Sequence, residues 1–544
     1  MKRRLFEHPH SSHLNAAAAA MSQCFHTFVF AAYPVLIVVG SNAGVLPLDG
    51  TVVARCLAIS VALTAALLVI LKPLIPELSN RAAWLSFVFI AFNLYAIVGG
   101  TSSHAGFAAL YTFGSGAVAA LIVRPRTLRQ RKSTALNLAA CTVLAVNLYA
   151  TSPVLRSDER WRSTADALIE GVVGSAGPRR GGPPPDIYYV VLDGFGRQDI
   201  LKDLYQLDVG PFVAALESRG FTVPDASQSN YAQTFLSLAS SLNLSYLDPV
   251  ARVMRNSEDR RVLDYLIQNN ALTALAKRAG YQVTAIGSNY AATERLNNAD
   301  VCLCEQYGLH EIEATAINLT PLRALLLDRW TYDAHRRKVE QEFGHLENAG
   351  SIDGPRLVFA HVISPHPPFV FGPDGPVTDP TRIFGLMDGS HFAGSRAEYT
   401  AGYRNQAQFV MKRVLSFVDS ILSRPGPSPV IILHGDHGPG SLWDWDDVAS
   451  GNARERLGIL SAYRFPGDDR PLLDPQVSPV NALRIMANRH LGTSLPILPD
   501  LSFASTWRRP FQWVPVPSDR GEELAAARSP QNAAGRRSLP GNAR

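Results

Sequence analysis

The distribution of apolar residues divides this chain of 544 residues into two parts. Residues 25–156 are almost uncharged and mostly apolar, whereas residues 157–544 mix polar and apolar positions as a soluble protein does. The first part contains five apolar stretches, each near the ~20 residues that a helix needs to cross a bilayer. They lie at residues 27–48, 52–74, 82–100, 104–123 and 134–154. The pattern therefore predicts a five-helix transmembrane bundle over residues 27–156, preceded by an N-terminal segment at residues 1–26. A removable signal peptide does not fit, because the first stretch is too long and four more follow it.

The basic residues of the loops predict the orientation of these helices, because short cytoplasmic loops are enriched in Lys and Arg. Residues 2–4, Lys72, Arg81 and residues 124–132 supply the positive charge, whereas the first and third loops carry none. We therefore expect a cytoplasmic N-terminus and a second part that lies on the other side of the membrane. The alternation at every loop argues against buried helices of a soluble protein. Few ionisable residues lie within the stretches, which favours a lipid-binding anchor over a transport channel.

Apolar runs alternate with helical patterns in the second part of the chain. Near-continuous apolar runs are typical of strands buried on both faces, and they lie at residues 186–194, 281–289, 356–364 and 429–438. Helical spacing recurs at residues 209–220, 271–280 and 403–422. This alternation predicts an α/β domain over residues 186–514, with a central, largely parallel sheet covered by helices. Composition predicts a flexible linker at residues 157–185 and a disordered tail at residues 515–544.

Charge and cysteine content narrow the possible functions. The formal net charge is +5, but the basic residues cluster in the loops of the apolar part and in the tail, so nucleic-acid binding is not expected. Cys24, Cys56 and Cys141 lie in or beside the apolar part, where a thiol behaves as a small hydrophobic group. Cys302 and Cys304 form a C-x-C, which fits a local disulfide as well as two free thiols.

Polar residues that can bind a metal stand where three of the predicted strands end. The first strand ends at Asp193, the third reaches His361 and then His366, and the fourth ends in the sequence His434-Gly-Asp436-His437-Gly. The carboxyl ends of neighbouring parallel strands meet at one edge of a sheet, where ligands bind. Two carboxylates and an imidazole at that edge, from Asp193, Asp436 and His437, would suit one divalent cation.

A hydroxyl group beside such a cation becomes a nucleophile, because the cation lowers the pKa of the hydroxyl. Thr234 is the candidate, since a polar loop changes there into an apolar helical pattern within "SQSNYAQTFLSLASSLN". A threonine in the first turn of a helix also lies beside backbone N–H groups that favour an anion. Each residue has a simpler explanation alone: a turn at Asp193, a helix cap at Thr234, and hydrogen-bonded loop residues at His361 and His366.

Taken together, these motifs resemble the alkaline phosphatase superfamily. The resemblance is closest to its membrane-anchored, sulfatase-like branch, which includes lipoteichoic-acid synthases and phosphoethanolamine transferases. The matching residues are Asp193 in "VVLDGFGR", Thr234 in "SNYAQTFLSL", His366 in "SPHPPF", and Asp436 and His437 in "HGDHG". The resemblance implies that Asp193, Thr234, Asp436 and His437 bind the catalytic cation. It also implies that Thr234 attacks phosphorus and that His366 contacts the phosphoryl group or protonates the leaving oxygen.

The chain departs from this family pattern in three places. The setting "TFLSL" around Thr234 lacks the C/S-x-P-x-R of formylglycine sulfatases, so sulfatase activity is not expected. The lipid-dependent transferases usually carry Glu where this chain has Asp193, and "LDGFGR" is closer to nucleotide pyrophosphatases and phosphodiesterases. Those enzymes hold a second metal with an additional Asp, which "HVISPHPPF" lacks. We therefore expect one divalent cation, zinc or manganese, and do not favour a second metal.

The expected reaction is a two-step displacement through a phospho-threonine intermediate. The candidate donors to the phosphoryl oxygens are His361, Asn230, Tyr231 and His434. A membrane anchor favours a phospholipid donor, so that phosphoglycerol or phosphoethanolamine would move to a glycan or lipid acceptor. Trp443 and Trp445 follow the metal motif and suit the membrane interface, the donor site or simple surface packing.

Two other functions remain open from the sequence. One is a membrane-tethered phosphodiesterase or sulfatase-like hydrolase that acts on periplasmic substrates with water as acceptor. The other is a non-catalytic scaffold with a degenerate site, against which the intact set of Asp193, Thr234, Asp436 and His437 argues. The family resemblance, together with an Ala- and Arg-rich composition, suggests a bacterial inner membrane with the catalytic domain in the periplasm.

Overall fold

The fold is taken from a computed structural model of the chain. The residues that it describes are 9–42, 50–99, 105–123, 129–155, 160–178, 183–305, 309–323, 328–349, 354–376, 384–467 and 473–517. Contacts between residues divide the chain into two compact units. The first unit comprises residues 1–157, 308–332 and 380–384, and the second contains the rest. The predicted tail lies outside the described residues from position 518 onward.

Long helices form where the sequence predicted membrane spans. They are α1 (Pro9–Asn42), α2 (Gly50–Ile70), α3 (Leu78–Gly99), α4 (Ala105–Val123) and α5 (Arg129–Leu155). Within the described residues, three segments are long and apolar enough to cross a membrane, namely Ala18–Asn42, Gly50–Ile70 and Ser133–Ser152. The sequence predicted five membrane spans, and three segments of the described residues satisfy this criterion.

A six-stranded sheet lies at the centre of the second unit. Its strands follow the spatial order β3, β2, β4, β1, β7 and β8, and only β8 runs antiparallel to its neighbour. The strands within the described residues are β1 (Ile187–Leu192), β2 (Gln282–Ile286), β3 (Val301–Leu303), β4 (Arg356–Val362), β5 (Phe371–Gly372), β6 (Gly375–Pro376), β7 (Val430–His434), β8 (Ser461–Arg464), β9 (Ser502–Ala504) and β10 (Val514–Val516). The prediction of a largely parallel sheet is confirmed, and the four predicted strands are β1, β2, β4 and β7.

Helices cover both faces of this sheet. Tyr189 of β1 faces one side, where its hydroxyl donates to Ser241 Oγ at 3.0 Å, and Tyr188 faces the other side, with its ring 5.9 Å from that of Phe417. The remaining helices are α6 (Arg160–Val173), α7 (Gln198–Tyr205), α8 (Gly210–Ser218), α9 (Thr234–Leu242), α10 (Asp248–Met254), α11 (Arg261–Gln268), α12 (Ala271–Arg278), α13 (Glu311–Asn318), α14 (Asp328–Asn348), α15 (Arg396–Leu422), α16 (Ala453–Leu457) and α17 (Pro479–His490). Burial on both faces explains why β1, β4 and β7 lack the polar–apolar alternation of a surface strand.

Helix α13 belongs to the first unit, although it lies far along the chain from α1 to α5. Its residues Ile312 and Ala316 pack in one apolar cluster with Val35, Val38, Val52 and Cys56 of α1 and α2. Arg55 of α2 forms an ion pair with Glu313 of α13 at 2.7 Å. The sequence alone does not show which distant segment returns to α2.

Part of the predicted linker is a packed helix. Trp161, Ala165, Leu168 and Val172 recur at helical spacing in α6 and are buried in the main core cluster of the second unit. The Trp161 ring makes an edge contact with Tyr265 at 5.7 Å. Residues 160–173 are therefore part of the folded unit, and the prediction of a flexible linker over the whole of 157–185 is corrected there. The helical spacing of apolar residues in α6 is a sequence signal for this helix. The Gly- and Pro-rich sequence that follows led to the prediction of a linker over the whole segment.

Substitution of Trp161 by alanine tests whether α6 is part of the core. Removal of a buried indole leaves a cavity, and we expect Trp161→Ala to lower the free energy of unfolding by about 3–5 kcal/mol. Thermal unfolding of the full chain in detergent, beside Ser163→Ala on the exposed side of the same helix, measures the difference. Equal melting temperatures for the two variants would mean that residues 160–173 do behave as a linker.

Candidate metal and catalytic centre

Three neighbouring strands deliver their carboxyl ends to one point. Strand β1 lies between β4 and β7 and runs parallel to both. Asp193 follows β1 directly, and its backbone N–H donates to Val362 O of β4 at 2.9 Å. On the other side, the N–H of Gly194 donates to Asp436 Oδ1 at 3.1 Å. These two bonds tie the segment that follows β1 to β4 on one side and to Asp436 on the other.

The glycines of the two motifs make this close approach possible. Gly194 has a φ of 74°, a left-handed conformation that costs a residue with a side chain. A side chain at Gly438 would overlap the main-chain oxygens of Glu455 and Gly458. The sequence therefore uses glycine where the backbone turns sharply after β1 and where it packs directly on another segment after β7.

The Nε2 atom of His437 lies close to oxygen atoms of the other three predicted metal ligands. It lies 3.0 Å from Thr234 Oγ1, 3.5 Å from Asp193 Oδ1 and 3.3 Å from Asp436 Oδ2. The Nδ1 atom of His437 lies 2.8 Å from Gly438 O, to which it donates. In the neutral imidazole the lone pair is therefore on Nε2 and points into the group of oxygens. The structure brings together all four residues that the resemblance implied as ligands.

This arrangement fits a divalent cation. Asp193 and Asp436 are both buried, and among the described residues Asp193 Oδ1 and Asp436 Oδ2 have no hydrogen-bond partner. Two buried carboxylates side by side are costly unless positive charge balances them. The donors available are carboxylate oxygens, a hydroxyl oxygen and an imidazole nitrogen, which are the ligand types that zinc prefers. Asp193, Thr234, Asp436 and His437 would hold the ion.

Thr234 occupies the position of a nucleophile. It is the first residue of α9 and is only partly buried, whereas the four residues that follow it are fully buried. The preceding Gln233 gives α9 no side-chain cap, and its Oε1 accepts instead from Arg260 Nη2 at 3.3 Å. Backbone N–H groups of the first turn are thus not capped by Gln233 and favour an anion beside Thr234.

His361 and His366 lie on the β4 side of the same centre. His361 Nε2 is 3.3 Å from Asp193 Oδ2, and its Nδ1 is 2.9 Å from Thr293 Oγ1. His366 Nδ1 donates to Pro367 O at 2.7 Å, which leaves Nε2 directed at the centre. Two groups of three buried side chains place their ligand atoms within 4.8 Å of one another: Asp193 with His366 and His437, and Asp193 with His361 and Asp436.

Electrostatics separate the roles of the two histidines. Burial lowers the pKa of His437, and the guanidinium of Arg456 lowers it further, so that His437 stays neutral as a ligand must. Burial also acts to lower the pKa of His366, but the carboxylates of Asp193 and Asp388 outweigh it and raise the pKa to about 9. Burial would raise the pKa of Asp193, yet the neighbouring histidines bring it below its usual range. His366 is the cationic imidazole of the centre.

Asp388 and Arg456 are part of this centre, although the sequence analysis missed both. Asp388 Oδ2 lies 3.5 Å from His366 Nε2 and contacts Arg456 Nη1. Both residues are buried. Asp388-Gly389 follows an apolar run as Asp193-Gly194 does, but no strand precedes it in the described residues from 384 onward. Arg456 lies in the short helix α16, and nothing in its local sequence indicates a role at a strand end.

Three predicted substrate-binding residues lie in other contacts. Asn230 binds Tyr246 OH and Leu501 O through its amide, and the Tyr231 ring packs on Phe503 and Trp513. His434 Nε2 is 3.0 Å from Tyr189 OH, and its Nδ1 donates to Gly435 O at 2.9 Å. His434 is the last residue of β7, and both of its ring nitrogens have partners outside the group of proposed ligands. Sequence proximity to the motif therefore did not make it a member of that group.

The two tryptophans that follow the metal motif are buried. Trp443 and Trp445 are only 2% and 4% exposed, so neither offers a surface to a membrane. Their rings pack edge to face at 5.9 Å, and Trp445 Nε1 donates to Asp388 Oδ1 at 3.0 Å. They support the loop beside the centre.

The sulfur atoms of Cys302 and Cys304, for which the sequence left both states open, are joined in a disulfide.

No family model and no curated protein matches the chain. Among solved structures, the C-terminal periplasmic domain of EptC from Escherichia coli, in complex with zinc, is similar over 62% of this chain and 96% of that chain, with 15% identity and a TM-score of 0.40. The integral membrane protein lipooligosaccharide phosphoethanolamine transferase A from Neisseria meningitidis covers 86% of this chain and 95% of its own, with 14% identity and a TM-score of 0.33. The phosphonate monoester hydrolase of Agrobacterium radiobacter covers 59% and 80%, with 15% identity and a TM-score of 0.38. Phosphoethanolamine transferases are among the proteins that the sequence resemblance named.

A matched pair of histidine variants tests the metal centre. His434 and His437 lie three residues apart, both are buried and both donate through Nδ1 to the next carbonyl. Only His437 directs Nε2 at the two aspartates. We therefore expect His437→Gln to weaken zinc binding by about 100-fold or more. A residue that only supports a metal ligand typically changes the affinity by about 10- to 100-fold when it is replaced. His434→Gln should leave the zinc content of the purified full chain unchanged. Elemental analysis and zinc titration measure both, and equal zinc contents would contradict the assignment.

Proposed function

We propose that the protein is a membrane-anchored, metal-dependent phosphotransferase. It moves the phosphorylated headgroup of a phospholipid, phosphoethanolamine or phosphoglycerol, to a glycan or lipid acceptor through a phospho-threonine intermediate. One zinc or manganese ion held by Asp193, Thr234, Asp436 and His437 serves the reaction. A periplasmic catalytic domain on a bacterial inner membrane, with a cytoplasmic N-terminus, is part of the same proposal.

One observation carries this proposal. The hydroxyl of Thr234 is 3.0 Å from His437 Nε2, at the N-terminus of α9 and beside two buried aspartates. A threonine that merely capped the helix would need neither the carboxylates nor the imidazole. A divalent ion bound there would lower the pKa of the hydroxyl and neutralise charge on a phosphoryl oxygen. The combination is that of a nucleophile for phosphoryl transfer.

In the first step, the Thr234 oxygen, which has already released its proton to solvent and stays deprotonated through the cycle, attacks phosphorus and the bond from phosphorus to the diacylglycerol oxygen breaks. His366 donates its proton from Nε2 to that leaving oxygen, since the nearby carboxylates keep the imidazole charged. In the second step, the acceptor hydroxyl attacks phosphorus and the bond to Thr234 breaks. The neutral His366 takes the proton of the acceptor, so it returns to its starting state.

The N-terminus of α9 and His361 supply the remaining contacts to the phosphoryl group. Backbone N–H groups of the first turn favour the negative charge that spreads over the equatorial oxygens. Asn230, Tyr231 and His434 stay candidates from the sequence, although their side chains already have partners in the fold. We therefore assign the phosphoryl contacts to His361, His366 and the first turn of α9.

The membrane part of the chain favours transfer from a lipid over hydrolysis of soluble diesters. Three segments in the described residues are long and apolar enough to span a bilayer, and an anchored domain meets lipid headgroups at high local concentration. The hydrolase remains the second candidate, because water can resolve the same intermediate. One of the similar structures is named as a hydrolase, the phosphonate monoester hydrolase of Agrobacterium radiobacter.

Intact-mass measurement of the phospho-enzyme tests the proposal. The full chain in detergent, incubated with zinc and phosphatidylethanolamine or phosphatidylglycerol, should gain the mass of one headgroup phosphate. Thr234→Ala should show no adduct, and turnover should fall by roughly 10⁴–10⁶-fold because the nucleophile is lost. The mass of the adduct identifies the donor.

The control is Thr293→Ala, which removes a buried hydroxyl that contacts His361 but lies outside the proposed ligand set. This variant should still form the adduct. Cleavage of bis-p-nitrophenyl phosphate without any lipid adduct would favour the hydrolase. An adduct that persists in Thr234→Ala would overturn the assignment of the nucleophile.

A further inference from the structure

We propose that Tyr399 and Tyr403 of α15 are positioning residues for the metal centre, and that their hydroxyl groups raise its affinity for the divalent cation. The inference rests on the proposed function, because it concerns the ion that serves the reaction. Neither tyrosine belongs to the proposed ligand set. Each acts through main-chain atoms of a turn that carries ligands: the turn after β1 carries Asp193, and the turn after β7 carries Asp436 and His437.

The hydroxyl of Tyr403 bridges two main-chain groups of the turn that follows β1. It donates to Gly194 O at 2.9 Å and accepts from Gly196 N at 3.0 Å. The side chain of Tyr403 is fully buried, so bulk water does not reach these two groups. The hydroxyl therefore holds the backbone directly after Asp193, and the position of that backbone decides where the carboxylate of Asp193 lies.

Tyr399 makes a corresponding contact with the turn that follows β7. Its hydroxyl accepts from Gly440 N at 3.0 Å, three residues after His437, and its side chain is buried. Earlier in the same turn, Gly438 N donates to Arg456 O at 2.7 Å. Tyr399 is thus the contact from α15 that holds the far end of this turn.

The two tyrosines reach both turns because they lie on one face of α15. Residues four positions apart on a helix are neighbours on its surface, and the rings of Tyr399 and Tyr403 are nearly parallel, with their centres 6.4 Å apart. Gln406 extends the same face by one turn, and its Nε2 donates to His366 O at 2.8 Å. One helix therefore contacts the backbone of three segments at the centre.

Helix α15 is fixed on both sides of these residues. At its start, Ser395 Oγ accepts from Glu398 N at 3.3 Å and Glu398 Oε2 accepts from Ser395 N at 2.7 Å, which caps the first turn directly before Tyr399. Further along, the ring of Phe417 lies 5.9 Å from that of Tyr188 in β1. The helix is therefore anchored on the strand that leads to the first turn, and its hydroxyl groups are fixed points for both turns.

A purely structural tyrosine elsewhere in the same unit provides the comparison. Buried main-chain groups need hydrogen-bond partners wherever they lie, and the hydroxyl of Tyr246 supplies them by accepting from Leu501 N at 2.8 Å and donating to Pro499 O at 2.7 Å. Tyr246 thus makes the same two kinds of bond as Tyr403, but with a segment that carries no proposed ligand. The difference between the two residues is that the bonds of Tyr403 lie directly beside Asp193.

Substitution by phenylalanine removes only the hydroxyl group and leaves the ring in place. We expect Tyr403→Phe in the full chain in detergent to weaken zinc binding by about 10-fold, the lower end of what the loss of an outer partner of a metal ligand causes. Tyr399→Phe should weaken it in the same direction, which keeps the inference testable if Tyr403→Phe folds poorly. Tyr246→Phe should bind zinc as tightly as the wild type, although it also loses two buried hydrogen bonds. Zinc titration against a competing chelator, well below the melting temperature of each variant, measures the affinities.

Cobalt(II) in place of zinc gives a second readout, because its visible absorption depends on the geometry of its ligands. At saturating cobalt, the spectra of Tyr403→Phe and Tyr399→Phe should differ from that of the wild type, since the ligands are displaced. The spectrum of Tyr246→Phe should match the wild type. A lower stability of the fold alone would not change the spectrum of the folded, cobalt-saturated protein.

Each outcome decides the inference. Equal zinc affinities for the three phenylalanine variants, whether unchanged or equally reduced, would mean that Tyr399 and Tyr403 only stabilise the fold. If the wild type binds zinc and His437→Gln weakens it, but neither Tyr399→Phe nor Tyr403→Phe does, the inference alone fails. If the wild type binds no zinc, the proposed metal centre fails and the inference with it. A wild type that binds zinc but forms no phospho-threonine adduct would contradict the proposed function, while the zinc affinities would still decide the inference.

Discussion

Two buried carboxylates beside one imidazole nitrogen determine how the rest of this centre is built. Asp193 and Asp436 leave oxygens without hydrogen-bond partners in the described part of the chain, and His437 Nε2 presents a lone pair between them. Such a group is unfavourable in a protein interior unless a cation neutralises it. The parallel pairing of β1 with β4 and β7 brings the ligands together, and the glycines beside them permit the approach.

Around that charge, the other side chains divide into neutral and cationic partners. His437 is kept neutral by burial and by Arg456, whereas His366 is kept charged by Asp193 and Asp388. Thr234 stands between the metal ligands and the start of α9, where the helix favours an anion. A hydroxyl group, an imidazole with a raised pKa and the N-terminus of a helix thus occur within one small region. This division of roles makes phosphoryl transfer a better account of the centre than metal storage or a purely structural ion site.

The predictions from sequence succeeded where a local pattern has one structural meaning. Unbroken apolar runs became β1, β2, β4 and β7, and the change of pattern at Thr234 became the first residue of α9. The proposed ligands Asp193, Asp436 and His437 lie together because they stand directly after strands whose parallel order puts their ends side by side. His434 illustrates the limit of this reasoning, because its place beside the motif did not show that its ring nitrogens bind Tyr189 and Gly435 instead.

The sequence by itself determined the two-part organisation, the α/β class and the identity of the four residues that surround the proposed ion, since periodicity and strand-end motifs are local properties. Only the tertiary structure decided that α6 packs in the core, that α13 joins α1 and α2, and that Asp388 and Arg456 reach the centre. Their partners lie far away in the chain, as the 68 residues between Asp388 and Arg456 illustrate. A buried ion pair depends on which distant segments the fold brings together, and no local pattern of charge or hydrophobicity records that choice.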